Sequence, residues 1–220
     1  MNVKLLRFTA GPEIVAGCAA AVCTNTDDWE KALKHALDSG HDSVAEHVTF
    51  TFEVDEVSRA LLAQLTRHRI ASFSVQSQRY VSYRDGFGYV IPPSITELGG
   101  NAVGAYEAQM EQIHEWYCQW CDILGDKKKE DARYVLPNAA HTKLIVTMNA
   151  RELKHFLSLR MCNRAQWEIR ELAEEMCRLA KNAAPVLMKG AGPGCVRGHC
   201  PEGSRSCGHP KTENVGGEHA

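Results

Sequence analysis

The chain has 220 residues, enough for one domain or a tightly merged pair, and its 44% hydrophobic content supplies a sizeable core. A formal net charge of −2 and a pI near 6.5 exclude the general basic excess of nucleic-acid and membrane-surface binders, so an anionic partner must be met by a local cluster. No apolar run approaches a membrane span, and nine cysteines without a secretory leader read as reduced thiols in a cytoplasmic protein rather than as a disulfide framework.

In chain order, the opening "MNVKLLRFTAGPEIVAGCAAAVCTN" is interrupted by Arg7 and Glu13 and reads as a strand followed by a helix start. "TDDWEKALKHALDSG" predicts a helix capped by Thr26, Asp27 or Asp28, with Trp29, Ala32, Leu33, Ala36 and Leu37 as its apolar stripe and Gly40 at its end. "HVTFTFEV" alternates, placing Val48, Phe50, Phe52 and Val54 on one face of a half-buried strand. "VSRALLAQLTRHR" returns to helical spacing through Val57, Leu61, Leu62 and Leu65, so Arg67 stands at a helix C-terminus and a loop rich in Ser and Gln follows. Pro92 and Pro93 mark a break, after which a long helix is expected from about Ile95 to Leu124, weakened at its start by Gly99, Gly100 and Gly104. "GDKKKED" is a polar turn, "ARYVLP" a short helix stopped by Pro137, and "TKLIVTMN" a strand. "ARELKHFLSLR" and "AQWEIRELAEEMCRLAKNAAP" are helices, and from Gly190 onward the composition shifts to Gly, Pro, Cys and His with little to bury. The elements lack the strand–helix alternation of a parallel sheet. The fold class expected is therefore α+β, an antiparallel sheet covered by several helices, including a long central helix.

The segment "RHRIASFSVQSQRY" gathers Arg67, His68, Arg69 and Arg79 in a nearly neutral chain. Arginines at a helix C-terminus can simply complement the macrodipole and be solvated. Here Arg67 and Arg69 flank His68, Ser72, Ser74, Ser77, Gln76 and Gln78 follow, and Arg79 adds a second planar fork suited to phosphate. Such a set is what a nucleotide phosphate or pyrophosphate needs.

"RHR", followed after seven residues by Ser77 and then by "QR", resembles the signature of the flavin-dependent thymidylate synthases. "GHDSVAEH" at Gly40–His47, "RYVLP" at Arg133–Pro137, "NARELKHFLSLR" at Asn149–Arg160 and "AQWEI" at Ala165–Ile169 resemble the family's other blocks in its order. The likeness covers residues 3 to 190. It implies a catalytic domain over 1–190 with an appended Gly/Cys/His-rich tail over 191–220. It also implies conversion of dUMP to dTMP with methylenetetrahydrofolate as carbon donor, FAD as redox carrier and NADPH as reductant, in a homotetramer with shared sites.

Carried over by position, the resemblance assigns Arg67, His68, Arg69, Ser43, Val75, Asn149, Arg151 and His155 to FAD, with His41 and Glu46 nearby. Arg151 and His155 are four apart and share a helix face. His155 stands where the family often has Asn, and both offer a donor; Val75 stands where many relatives have a polar or acidic residue. dUMP is assigned to Gln64, Arg67, Val75, Gln76, Ser77, Gln78, Arg79, Arg133 and Arg160. Arg160 is the candidate catalytic residue, a guanidinium that favours the N3 anion of uracil and so raises electron density at C5. Ser77 is not read as a nucleophile, because a serine hydroxyl needs an adjacent base and a flavin hydride removes the need for one.

The tail segment "GCVRGHCPEGSRSCGHP" holds Cys195, His199, Cys200, Cys207 and His209, enough donors for a tetrahedral zinc site. No pair has knuckle spacing, so the expectation is a solvated tail with exposed thiols and no metal. "CQWC" at Cys118–Cys121 falls mid-helix without a preceding strand and reads as core packing, as do Cys162 and Cys177. A zinc deaminase would need His-x-Glu followed by Pro-Cys-x-x-Cys, which the chain does not contain. The alternative of a non-catalytic nucleotide- or RNA-binding module would call for stacking aromatics in a basic groove, whereas aromatics are 7% and dispersed. No nucleic acid and no membrane is expected as partner.

Overall fold

The computed structural model describes residues 1–125, 128–198 and 200–212. Strand β1 (Asn2–Phe8) leads to helices α1 (Pro12–Thr24) and α2 (Trp29–Asp38), a 3-10 turn over Asp42–His47, and strand β2 (Thr49–Ser58). Helix α3 (Arg59–Leu65) and strand β3 (Ala71–Val75) follow, then α4 (Pro93–Thr96), α5 (Gly100–Leu124) and α6 (Lys129–Ala132). Strand β4 (His141–Asn149) and helices α7 (Ala150–Arg160) and α8 (Trp167–Ala183) complete the regular elements. The four strands form one sheet in the order β1-β2-β4-β3. The pairs Met1–Glu56, Lys4–Glu53 and Thr9–Thr49 descend along β2 as they ascend along β1, which makes that pairing antiparallel. Lys143–Asp55 and Thr147–Thr51 give the same sense between β2 and β4.

By contacts the chain divides into two compact units. One comprises Met1–Asn2, Val54–Thr66 and Ser74–Leu144; the other comprises Val3–Glu53, Arg67–Phe73 and the described residues from Ile145 onward. In the second unit Phe50, Phe52, Val146 and Met148 are buried along their strands, and α7 and α8 bury Leu153, Phe156, Ile169 and Leu172. In the first unit Val54, Val57, Leu61 and Leu65 are fully buried, and a separate cluster joins Tyr83, Tyr117, Cys121 and Ala132.

Local chemistry explains the element ends. Of the three candidate caps for α2, Asp28 accepts the Lys31 N–H at 3.0 Å. β2 keeps Val57, which the helical spacing had placed in α3. The helix starts one residue after Ser58, whose buried hydroxyl accepts the Leu61 N–H at 2.9 Å, while β-branched Val57 suits the strand. Ala71–Val75 is strand β3, not the start of a Ser/Gln loop. Its half-buried Ala71, Phe73 and Val75 alternate with exposed Ser72 and Ser74, and small polar residues disguise that period in the sequence. The long helix expected from Ile95 is broken at Gly99, whose φ of 93° lies in the left-handed region, and α5 begins at Gly100. Asp126 and Lys127 of the expected polar turn lie outside the described residues.

Gly17 lies where α1 meets α2, and a Cβ there would fall 2.7 Å from both the carbonyl oxygen and the ring of Trp29. Backbone cannot yield as a flexible side chain does. Gly17→Ala is therefore expected to lower stability by about 1–3 kcal/mol, read as a lower Tm; an unchanged Tm would refute this close approach.

Candidate active site

Helix α7 organises the site in the second unit. Asn149 caps it, its side-chain oxygen accepting the Glu152 N–H at 2.8 Å. Glu152, Phe156 and Arg160 recur every four residues and so share one face. That face meets His68, which the loop after α3 delivers and which is only 5% exposed. The His68 ring stands edge-on to Phe156 at 5.0 Å and to His155 at 5.9 Å. Its Nδ1 lies 3.1 Å from Glu152 Oε1, and its Nε2 lies 3.1 Å from Arg160 Nε. Arg67 and Arg69 on either side of His68 are exposed.

Electrostatics follow from that packing. Burial pushes the His68 pKa below its ordinary 6.5, outweighing the upward pull of the Glu152 bond, and the Arg160 cation lowers it further. The Arg160 guanidinium is itself pressed down by burial and by the neighbouring Arg67 charge. His68 is therefore a neutral imidazole between a carboxylate and a guanidinium.

The opposite flank of α7 borders a cleft of about 1040 Å³ lined by Arg151, Lys154, His155 and Ser158 together with Lys34, Lys189 and Arg197. Two of its cations are held by the 3-10 turn: Arg151 pairs with Glu46, and Lys154 with Asp42 at 3.2 Å. Ser43 is exposed between those two acids. A second cleft of about 380 Å³ is bordered by Arg160, Cys162, Arg164, Cys195 and Cys200.

The remaining sequence candidates belong to the first unit. Gln64 is half-buried on α3, and Val75 ends β3. Gln76 donates its N–H to the Lys143 carbonyl at 2.8 Å. Ser77 builds a tight turn, its carbonyl accepting the N–H groups of Tyr80 and Val81 at 3.2 and 3.0 Å and its hydroxyl accepting that of Arg79 at 3.2 Å. Arg79 is paired with Glu130 of α6, which raises its pKa, and half-buried Arg133 follows three residues after that glutamate. Gln78 is half-buried beside the turn.

The structure thus brings Arg67, His68, His155 and Arg160 together, and sets Arg151 against the 3-10 turn that carries Ser43. Glu152 was missed. The sequence signal was a carboxylate two turns before Arg160, on the same face as Phe156, where an apolar residue would be expected. The tail differs from the expectation of exposed thiols, since Cys195, Cys200 and Cys207 are half-buried. Lys211 pairs with Glu174 of α8, its N–H meets Cys195 Sγ at 3.3 Å, and Asn163 donates to the His209 carbonyl at 3.0 Å. His199 lies outside the described residues, among which no three His, Cys, Asp or Glu side chains are grouped to hold a metal. Cys121 and Cys177 are buried as packing residues, whereas Cys162 is half-buried at the second cleft.

Comparison with known proteins gives a consistent result. The profile of the thymidylate synthase complementing protein family, Thy1, matches residues 4–186. The chain belongs to that family. A flavin-dependent thymidylate synthase of Geobacter sulfurreducens is 47% identical over 221 residues, covering 94% of each chain. One of Nitratidesulfovibrio vulgaris is 50% identical over 234 residues, again with 94% of each chain covered. The crystal structure of the Helicobacter pylori flavin-dependent thymidylate synthase complexed with FAD and dUMP superposes with a TM-score of 0.68. It is 26% identical and covers 87% of this chain and 100% of that one. The Thy1 match spans every candidate site residue from Ser43 to Arg160 and stops before the tail.

In this Thy1 member the depressed pKa of His68 makes stability depend on pH. The unfolded chain protonates first as pH falls, so the contribution of neutral His68 is complete above about pH 6.5 and is lost as pH falls through the depressed value. His68→Gln removes that titration. The wild-type margin over His68→Gln in urea unfolding should therefore shrink from about pH 7.5 to about pH 5; a constant margin would contradict a neutral buried imidazole.

Proposed function

We propose that this chain is a flavin-dependent thymidylate synthase that reductively methylates dUMP to dTMP, with methylenetetrahydrofolate as carbon donor, FAD as cofactor and NADPH as reductant. The observation that carries the reading is the cluster of Arg67 and His68, from the loop after α3, with Arg160 of α7 beside a basic cleft, in a member of this family.

The residues present fit FAD. Its pyrophosphate is anionic, and the cleft of about 1040 Å³ sets Lys34, Arg151, Lys154, Lys189 and Arg197 against only Asp38 and Asp42. Ser43, Asn149, Arg151 and His155 would hold it with Arg67, His68, Arg69 and Val75. When bound, FAD supplies the hydride chemistry that no side chain can. For dUMP, the Ser77 turn and Arg79 offer donors to the phosphate, Arg133 a further cation, and Gln64, Gln76 and Gln78 amides for the nucleoside. Phosphate would replace Glu130 as the partner of Arg79. Arg160 then meets the pyrimidine with its Nε already engaged by His68. A cation fixed beforehand stabilises developing N3 charge without reorganisation at the moment of reaction.

A homotetramer with shared sites is part of the same reading. Helix α5 is 25 residues long, yet only Met110, Tyr117 and Cys121 are buried along it. Trp116, Trp120 and Ile123 remain 47%, 45% and 72% exposed, in one stripe at helical spacing suited to a second copy of the chain. A cytoplasmic setting accords with nine free thiols. Among the described residues, no helix is long and apolar enough to cross a membrane. The reading places catalysis in residues 1–190, with 191–220 appended.

The purified chain should be yellow, absorbing near about 450 nm, and should bleach with NADPH in the presence of dUMP. A colourless preparation that takes up no FAD would refute the proposal and favour a non-catalytic nucleotide binder. Arg160→Ala should retain FAD yet lose roughly 100-fold or more in dTMP formation, and unchanged turnover would remove Arg160 from that role. Arg67→Ala should weaken FAD affinity; wild-type affinity by titration would contradict the assignment.

A further inference from the structure

We propose that Glu152 is a positioning residue: its bond to His68 holds the imidazole proton on Nδ1 and leaves Nε2 as the acceptor that orients Arg160. The proposal rests on the reading of Arg160 given above and extends it to a residue assigned to neither substrate nor cofactor.

The donors dictate the order of the chain of bonds. An arginine Nε–H only donates, so His68 Nε2, 3.1 Å away, must accept. A neutral imidazole with an accepting Nε2 carries its proton on Nδ1. That N–H points at Glu152 Oε1, also at 3.1 Å, and an ionised carboxylate only accepts. All three groups are satisfied in one arrangement only, with Glu152 accepting from His68 and His68 accepting from Arg160.

Glu152 stands three residues after the N-cap Asn149, where a glutamate often turns back to bond the cap's own N–H. Here it is only 7% exposed and bonds His68 instead. Leaving such a carboxylate unpaired would be costly, so the contact holds both side chains. The groups facing the imidazole are Glu152, Arg160, His155 and Phe156, with Arg67 acting on Arg160 from beyond. Among these, only Glu152 can accept the Nδ1 proton, to judge by the bonds it makes. If the proton sat on Nε2, it would confront the Arg160 Nε–H, and the guanidinium would have to swing away.

The test is the tautomer of His68 in the full chain labelled with ¹⁵N-histidine, read from long-range ¹H–¹⁵N correlations. The His68 signals are identified by their loss in His68→Gln. In wild type the proton is expected on Nδ1, with Nε2 unprotonated. In Glu152→Gln the amide can donate as well as accept, so protonation of Nε2 should appear. That variant's kcat should fall about tenfold or more, with FAD affinity and KM for dUMP changed less than about threefold. Glu152→Asp, which keeps the carboxylate, should recover part of the kcat. A wild-type His68 carrying its proton on Nε2, or on both nitrogens near neutral pH, overturns the proposal, even if Glu152→Gln does not fold. A folded Glu152→Gln with wild-type tautomer and kcat overturns it as well. Because the tautomer is read without turnover, a chain that forms no dTMP sinks the functional reading while the spectrum still decides the role of Glu152.

Discussion

A neutral imidazole owns one donor and one acceptor, and in the interior both must be used. His68 meets that constraint by joining the carboxylate of Glu152 to the guanidinium of Arg160. Much of the second unit serves this joint. The Asn149 cap sets the start of α7, its four-residue period aligns Glu152, Phe156 and Arg160, and the turn after α3 inserts the ring among them. Desolvation keeps the ring neutral, and the Glu152 bond places its one proton on Nδ1, leaving Nε2 to accept.

A chain of slightly negative net charge concentrates cations locally by giving several of them anionic anchors. Arg151 is held by Glu46, Lys154 by Asp42 and Arg79 by Glu130. Exposed pairs of this kind add little stability. Their value is in orientation: long, flexible side chains are held at a cleft or a turn rather than spread through solvent, and an anionic ligand can displace the carboxylate. Arg160 also has a neutral neighbour, since its Nε–H donates to the imidazole of His68.

Most elements were legible because one face of each is apolar at the period of its backbone. The alternation of Phe50, Phe52 and Val54 announced β2, and the stripe through Ala32, Leu33 and Ala36 announced α2. The errors fall where that signal is weak or shared. β3 hides its alternation among serines and is completed by pairing with β4, a non-local event. The break at Gly99 depends on a left-handed backbone that several nearby glycines could equally have supplied. The tail looked unburiable by composition, yet Ala191 is buried and Cys195 half-buried; Glu174 of α8 accepts from Lys211, and Asn163 after α7 donates to the His209 carbonyl.

The amino-acid sequence alone determined most of the local elements, the antiparallel α+β class and the identity of the cationic blocks. These rest on side-chain period, capping chemistry and residue order, all properties of near neighbours along the chain. Only the tertiary structure decided that Glu152 turns inward to His68 rather than capping its own helix. That choice joins residues 84 positions apart, and the burial that enforces it arises only when distant segments exclude water together.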